Sequence, residues 1–318
     1  MRAFVVGNYI SVNFLFVPSL PQAAQTAAAT GYFHDHGGKG LNLAVGLHRL
    51  GVATDLLVAV GDDAPGRAVT RLLGEIGMAT DHVHGVAAAS GFGVGLIAPD
   101  GGNMLVAYMG ANALLDETHV ARARDNIEAA AFCLAQFESP DEPILAAFRI
   151  AKTAGRATYL NPSPWREPTE ELLALTDILV VNEPEAMDFL NLDAAGAPAE
   201  VYAEKLPELA RRRGWRGALL VVTLAERGAV ALKGDACHVA PAFAIDQIDA
   251  TGAGDAFGCG LVSALAAGET LDAALTRANA CGAIVAAKTG VFDTLPRAEE
   301  VADFLARQLV DHGSRLSR

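Results

Sequence analysis

The chain has 318 residues, enough for one large α/β domain or two units of about 150 residues each. Hydrophobic residues make up 52% and charged residues only 19%, which supplies a large core and excludes a disordered chain. Lys and Arg number 24 against 37 Asp and Glu, a net charge of −13 that excludes a general nucleic-acid binder, though not a nucleotide site built from backbone N–H groups at a helix start.

No apolar run reaches the ~18 residues of a membrane span, so no membrane association is expected. The opening Met1 to Gly7 is too short for a secretory leader and reads as a first strand. Cys133, Cys237, Cys259 and Cys281 lie far apart with no Cys-x-x-Cys pair, as expected of small buried thiols in a reducing cytoplasm.

In chain order, β-branched runs alternate with Ala- and Leu-rich helical stretches. A strand is predicted over 3–6, a helix over 41–50, a strand over 56–60 and a helix over 67–76. Strands over 132–135, 158–160 and 178–181 follow, with helices over 144–154, 186–190 and 199–213 among and after them. Strands over 219–223, 229–232 and 237–239 precede helices over 253–267, 271–288 and 298–309, and the tail from Asp311 is expected to fray. Strands apolar on both faces imply a mainly parallel sheet covered by helices on both sides. Two segments break the alternation. Residues 10–33 carry Pro18 and Pro21 without a helical period, and residues 90–108 read as strands over 93–98 and 104–107 joined by Pro99-Asp100-Gly101-Gly102-Asn103, which has hairpin-turn chemistry. A small β flap over a site accounts for both.

The strongest chemical segment is Asp249-Ala250-Thr251-Gly252-Ala253-Gly254-Asp255, leading into a small-residue helix. Gly252, Ala253 and Gly254 lack bulk, so their N–H groups can close around an anion where the helix dipole adds positive charge. Asp255 is placed there to take a proton from a hydroxyl attacking a bound phosphate. The same pattern also describes an ordinary glycine loop with a capping Asp. Gly37-Gly38-Lys39-Gly40-Leu41-Asn42-Leu43-Ala44 opens a second helix with glycines. Neither segment has P-loop spacing, and Phe257 stands where a dinucleotide fingerprint needs its third glycine, so a dehydrogenase reading lacks its motif.

These two segments, with Gly51 and Gly61 after the first, are joined in order by Gly61-Asp62-Asp63, Gly110-Ala111-Asn112, Glu138-Ser139-Pro140, Asn161-Pro162-Ser163-Pro164 and Asn182-Glu183-Pro184-Glu185. On these residues nearly the whole chain resembles the ribokinase-like (PfkB) family of carbohydrate kinases, closest to its ribokinase branch. The resemblance implies a ribokinase-like three-layer α/β/α sandwich with a mainly parallel central sheet and a small β lid. It implies a single domain over 1–318 with the lid at about 10–36 and 90–110, and transfer of the γ-phosphoryl group of ATP to a hydroxyl of a small carbohydrate.

Carried over position by position, the resemblance makes Asp255 the base, with the amides of Gly252, Ala253 and Gly254 as the anion hole. Gly38, Lys39, Asn42 and Glu138 would contact the sugar. Asn182 and Glu185 would help hold magnesium and the phosphates, Glu185 through water. Thr223, Gly228 and Asn279 would flank the nucleotide, with Ala225 where the family usually has Gly. A potassium ion would sit beside the anion hole, bound by Asp249 and Thr251, by carbonyls of Ala286 or its neighbour, Lys288 and Gly290, and by the Thr294 hydroxyl. The open edges of the lid would pair in a homodimer.

The sequence departs from ribokinase after the first strand, where Ile10 and Val12 stand at two positions that bind sugar hydroxyls. An apolar pair points away from plain ribose, toward a substrate less polar on that side such as a nucleoside. A one-residue shift would present Ser11 and Asn13 instead, and Asn8 is a further candidate. A sugar phosphate fits less well, because Tyr9 to Phe33 contains no Lys or Arg. A non-catalytic sugar- or nucleotide-binding protein is the remaining rival. His34-Asp35-His36 reads as polar lid residues, and His82 and His84 are expected to face solvent.

Overall fold

The computed structural model describes residues 1–99 and 102–316. Its strands are β1 (Arg2–Val6), β2 (Ile10–Phe16), β3 (Gly31–Gly37), β4 (Ala53–Gly61), β5 (Val83–Val86), β6 (Gly91–Ile97), β7 (Asn103–Tyr108), β8 (Phe132–Gln136), β9 (Ala157–Asn161), β10 (Ile178–Asn182), β11 (Leu219–Thr223), β12 (Ala229–Lys233) and β13 (Ala236–Ala240). The helices are α1 (Lys39–Arg49), α2 (Ala64–Glu75), α3 (Glu117–Arg122), α4 (Arg124–Ala129), α5 (Asp141–Thr153), α6 (Glu170–Ala174), α7 (Glu183–Leu190), α8 (Ala199–Arg213), α9 (Ala253–Ala266), α10 (Leu271–Ala286) and α11 (Ala298–Leu316).

Nine strands form one sheet in the order β13-β12-β11-β10-β9-β8-β1-β4-β5, parallel except for β12 and β13. Alternating side chains fill a core on each face. Ala3 and Val5 of β1 pack into one, and Phe4 and Val6 into the other, all fully buried. α1, α9 and α10 cover the first face, and α5, α7 and α8 the second. Each fully buried leucine of α1, such as Leu41, Leu43 and Leu47, contributes roughly 1.5–3 kcal/mol. Small residues set how closely α1 and α9 approach: a Cβ on Gly46 would lie 2.5 Å from Cys259 Sγ. This contact brings the first turns of both helices to one end of the sheet.

The segments that break the alternation form a second, four-stranded sheet in the order β3-β2-β6-β7. β2 and β3 were legible only as an aperiodic stretch, because both of their faces carry mixed residues; they pair antiparallel, with Val12 opposite Asp35 and Ser11 opposite His36. Asp100 and Gly101, at the tip of the predicted hairpin, lie outside the described residues. α3, α4 and α6 escaped the sequence reading, since five or six residues give too little period to detect. α11 continues to Leu316 instead of fraying from Asp311.

The expectation for His82 and His84 is corrected. His82 is buried with its ring 5.8 Å from Phe4, and His84 is half-buried, 4.8 Å from the ring of His119. His82 precedes β5, so the pair does not share an exposed strand face. All four cysteines are free; three are buried and Cys237 is half-buried. No helix among the described residues is long and apolar enough to cross a membrane.

Candidate active site

The N-terminus of α9 begins at Gly252, whose φ of +79° is a left-handed conformation open to glycine at little cost. The Ala253 amide donates to the Ala250 carbonyl at 3.1 Å. The amides of Gly252, Gly254 and Asp255 donate to no protein acceptor among the described residues, so this helix tip is a cluster of unpartnered donors at the positive end of a dipole. Asp255 follows, 5% exposed. Its Oδ2 accepts from Asn42 Nδ2 at 2.8 Å, and Lys39 Nζ lies 3.7 Å from its Oδ1. That carboxylate raises the pKa of Lys39 and keeps the ammonium charged.

α1 begins at Gly38, with φ +107° and no side-chain cap of its own. Its first amides are satisfied from elsewhere: Lys39 N donates to Glu138 Oε2 at 2.7 Å, Gly40 N to Asn8 Oδ1 at 2.9 Å, and Leu41 N to the Asn8 carbonyl at 3.1 Å. Asn8 Nδ2 also donates to Glu138 Oε2, at 2.8 Å. Burial raises the pKa of Glu138, partly offset by Lys39. Asn42 Oδ1 is buried with no hydrogen-bond partner among the described residues.

A cavity of about 830 Å³ opens beside this cluster. It brings together Lys39, Asn182, Thr223, Gly228, Asn279 and the residues from Thr251 to Asp255. Ala286 also lies on its wall, and Asn42 and Glu138 join through the bonds above. Asn182 and Glu185 form a reciprocal capping box on α7: Asn182 Oδ1 accepts from Glu185 N, and Glu185 Oε2 from Asn182 N, both at 2.9 Å. Burial raises the pKa of the Glu185 carboxyl. Asn279 Nδ2 donates to the carbonyls of Ala240 and Pro241, so it steadies the strand end that borders the cavity. Ala225 stands at φ +52° on the cavity wall, the conformation a glycine adopts more easily.

Sequence reasoning missed Phe243 and Ile245, which complete an apolar lip with Phe257 of α9 and Ala283 of α10, because the segment after β13 has no periodicity to read. It also missed the ion pair between Glu183 of the cavity wall and Arg227, at 2.5 Å.

Ser11 is not brought to this cluster. Its hydroxyl lies 2.8 Å from His34 Nε2, and Asn13 Oδ1 accepts from the Tyr32 hydroxyl, on one face of the small sheet. Ile10 and Val12 share the opposite face with Gly37 and Asp35. Asp35 accepts from amides beside the α9 tip, so the apolar pair belongs to the face toward the site. Behind the tip, Asp249 Oδ1 accepts from the amide and hydroxyl of Thr251, and the Thr294 hydroxyl donates to the carbonyls of Gly290 and Val291. The Ala286 carbonyl takes the amides of Ile248 and Asp249, while Lys288 Nζ pairs outward with Glu300.

Known proteins share this arrangement of fold and sequence. A ribokinase from Haemophilus influenzae is 29% identical over 302 residues, covering 95% of this chain and 97% of that one. A deoxyribokinase from Salmonella typhi is 28% identical, covering 80% and 83%. The crystal structure of a Cryptococcus neoformans ribokinase in complex with ADP superposes with a TM-score of 0.80 at 27% identity, covering 95% and 99%. Residues 5–298 match the profile of the pfkB family carbohydrate kinases, and the chain belongs to that family of phosphotransferases with an alcohol acceptor.

Proposed function

We propose that the chain transfers the γ-phosphoryl group of ATP to a primary hydroxyl of a small sugar or sugar-like acceptor, with Asp255 as general base. The observation that carries this reading is a buried carboxylate beside the unpartnered amides of the α9 tip, facing the nucleotide-sized cavity. The acceptor hydroxyl gives its proton to Asp255 as its oxygen bonds to the γ-phosphorus, and the bond to the departing ADP oxygen breaks. Charge gathering on the transferred group meets the amides of Gly252, Gly254 and Asp255 and the ammonium of Lys39. The Ala253 amide, engaged with Ala250, has less to give than the sequence pattern suggests. Asn42 orients Asp255 through Nδ2 and offers Oδ1 to the acceptor. Thr223, Gly228 and the apolar lip take the nucleoside end of ATP.

The donor atoms fit two metals. Asn182, on the cavity wall, and Glu185, joined to it in one capping box, would hold magnesium through water, as suits a hard cation that keeps its hydration shell. When bound, magnesium neutralises the nucleotide phosphates. The all-oxygen set of Asp249, Thr251, Gly290 and Thr294, with carbonyls of Lys288 and the neighbour of Ala286, suits potassium. The Ala286 carbonyl already accepts two amides. Free cysteines fit a cytoplasmic setting.

Ile10 and Val12 favour an acceptor that lacks hydroxyls on its lid side. The stacked rings of Phe14 and Phe33, 4.7 Å apart on the same face, favour a nucleoside as the second reading. The outer face of the small sheet exposes Tyr32, Phe92, Met104, Val106 and Tyr108, an apolar surface that a second copy of this chain would cover in a homodimer. The test is an ADP-release screen over pentoses, deoxypentoses, hexoses, ketoses and nucleosides, with and without potassium. Acceptor-dependent release is expected, and its absence for every acceptor would overturn the reading.

A further inference from the structure

We propose that Asp35, on the small sheet, is a positioning residue for phosphoryl transfer, linking the sheet that covers the acceptor to the anion cradle at the α9 tip. The inference rests on the kinase reading above.

The link has three parts. Asp35 Oδ2 accepts from the amides of Val291 at 3.0 Å and Phe292 at 3.4 Å, and a Cβ on Gly290 would lie 3.4 Å from the same oxygen. A carboxylate bound by consecutive amides is a charge-assisted contact, stronger than a neutral one. Its neighbour His36 sets its ring edge-on to Phe292 at 5.8 Å, so two successive residues of β3 hold the same turn. The turn in turn bears on the cradle: Val291 Cγ1 sits where a Cβ on Gly252 would be only 2.6 Å away.

The opposite side of the turn is fixed to the body of the protein. Arg49 Nη1 of α1 donates to the carbonyls of Phe292 at 2.6 Å and Leu295 at 2.9 Å, and its guanidinium lies 4.9 Å from the Phe292 ring centre. Arg49 therefore holds the turn wherever the small sheet stands, whereas Asp35 and His36 hold it only when β3 lies against it. Seating β3 over an acceptor presses Val291 onto Gly252 and sets the cradle; withdrawing β3 releases it. Asp35 acts through the turn and touches neither acceptor nor phosphate.

The test compares wild type, Asp35→Ala and Asp35→Asn in the full chain. Amide hydrogen exchange over 289–295, measured without ligand, should be about tenfold faster in Asp35→Ala. With the acceptor that the wild type turns over best in the screen, kcat should fall about tenfold, since misplacing a catalytic group by ~1 Å slows reaction up to a hundredfold. KM for ATP should stay within twofold. Asp35→Asn keeps an oxygen for the Val291 and Phe292 amides but sets its NH2 against the His36 amide that Oδ1 accepts from, so kcat should recover to a value between Asp35→Ala and wild type. An Asp35→Ala variant with wild-type kcat would overturn the proposal, whether or not exchange accelerates. A wild type that phosphorylates nothing would overturn the kinase reading itself, and the exchange measurement separates that failure from failure of the contact.

Discussion

Asn42 of α1 and Asp255 of α9 stand 213 positions apart in the chain, yet the amide of one donates to the carboxylate of the other at 2.8 Å. The bond ties the first turns of two helices whose close approach is set by Gly46 and Cys259. It also leaves Asn42 Oδ1 unpaired at the place where an acceptor would lie.

Replacing Asp255 with Asn removes the base while keeping an oxygen for the Asn42 amide. Turnover should fall on the order of 10²–10⁴-fold, with nucleotide affinity by calorimetry nearly unchanged. A variant retaining most of its rate would remove Asp255 from the chemistry.

Asn42→Asp sets a second carboxylate against the first, and two such groups in contact cannot both ionise freely. The pair then holds a proton to higher pH, so the acidic limb of the pH–rate profile should move up by about one unit or more. Asn42→Ala, which adds no charge but removes the amide that donates to the carboxylate, should move that limb up by less than Asn42→Asp does and raise KM for the acceptor.

The Arg227 guanidinium holds the Glu183 carboxyl down from its ordinary 4.5 to about 2. A depressed folded-state pKa gives stability that is complete above the unfolded value and is lost as pH falls from about 4.5 toward 2. Glu183→Gln should flatten the acid side of the thermal-stability profile across that window while leaving its shape above pH 6 unchanged.

Ala225 holds a left-handed backbone at φ +52°. Alanine there carries about 1–2 kcal/mol of strain, of which glycine returns a part to unfolded-chain entropy. Ala225→Gly should raise the melting temperature by about one or two degrees, and a decrease would show that the strain is relieved elsewhere.

Val106 is 66% exposed on the outer face of the small sheet. Val106→Glu should turn a dimer into a monomer in sedimentation experiments, since a charge in the centre of an apolar contact must be desolvated. A wild type that sediments as a monomer at tens of micromolar would remove the proposed interface.

Sequence made the central sheet and its long helices legible because their apolar runs are both-sided or strongly periodic, as in β11 and α8. The glycine-opened starts of α1 and α9 were legible too, since backbone approach there leaves few other residue choices. The small sheet resisted reading. Ser11 and Asn13 look like site residues by type, but strand parity turns them toward His34 and Tyr32, and only pairing with β3 fixes that parity. The link from Asp35 to Val291 and Phe292 spans 256 and 257 positions and uses backbone amides, which leave no mark on residue identity.

Asn8 and Glu138 hold the opening amides of α1, so two side chains proposed to contact the acceptor double as a foundation of the fold. Exchanging either side chain to suit a new compound would loosen a helix as well as reshape a pocket. Ile10 and Val12 carry no such duty, for neither makes a side-chain polar bond. A change of acceptor preference therefore meets less resistance at the roof, where Ile10 and Val12, though buried, hold no amide of the helix below.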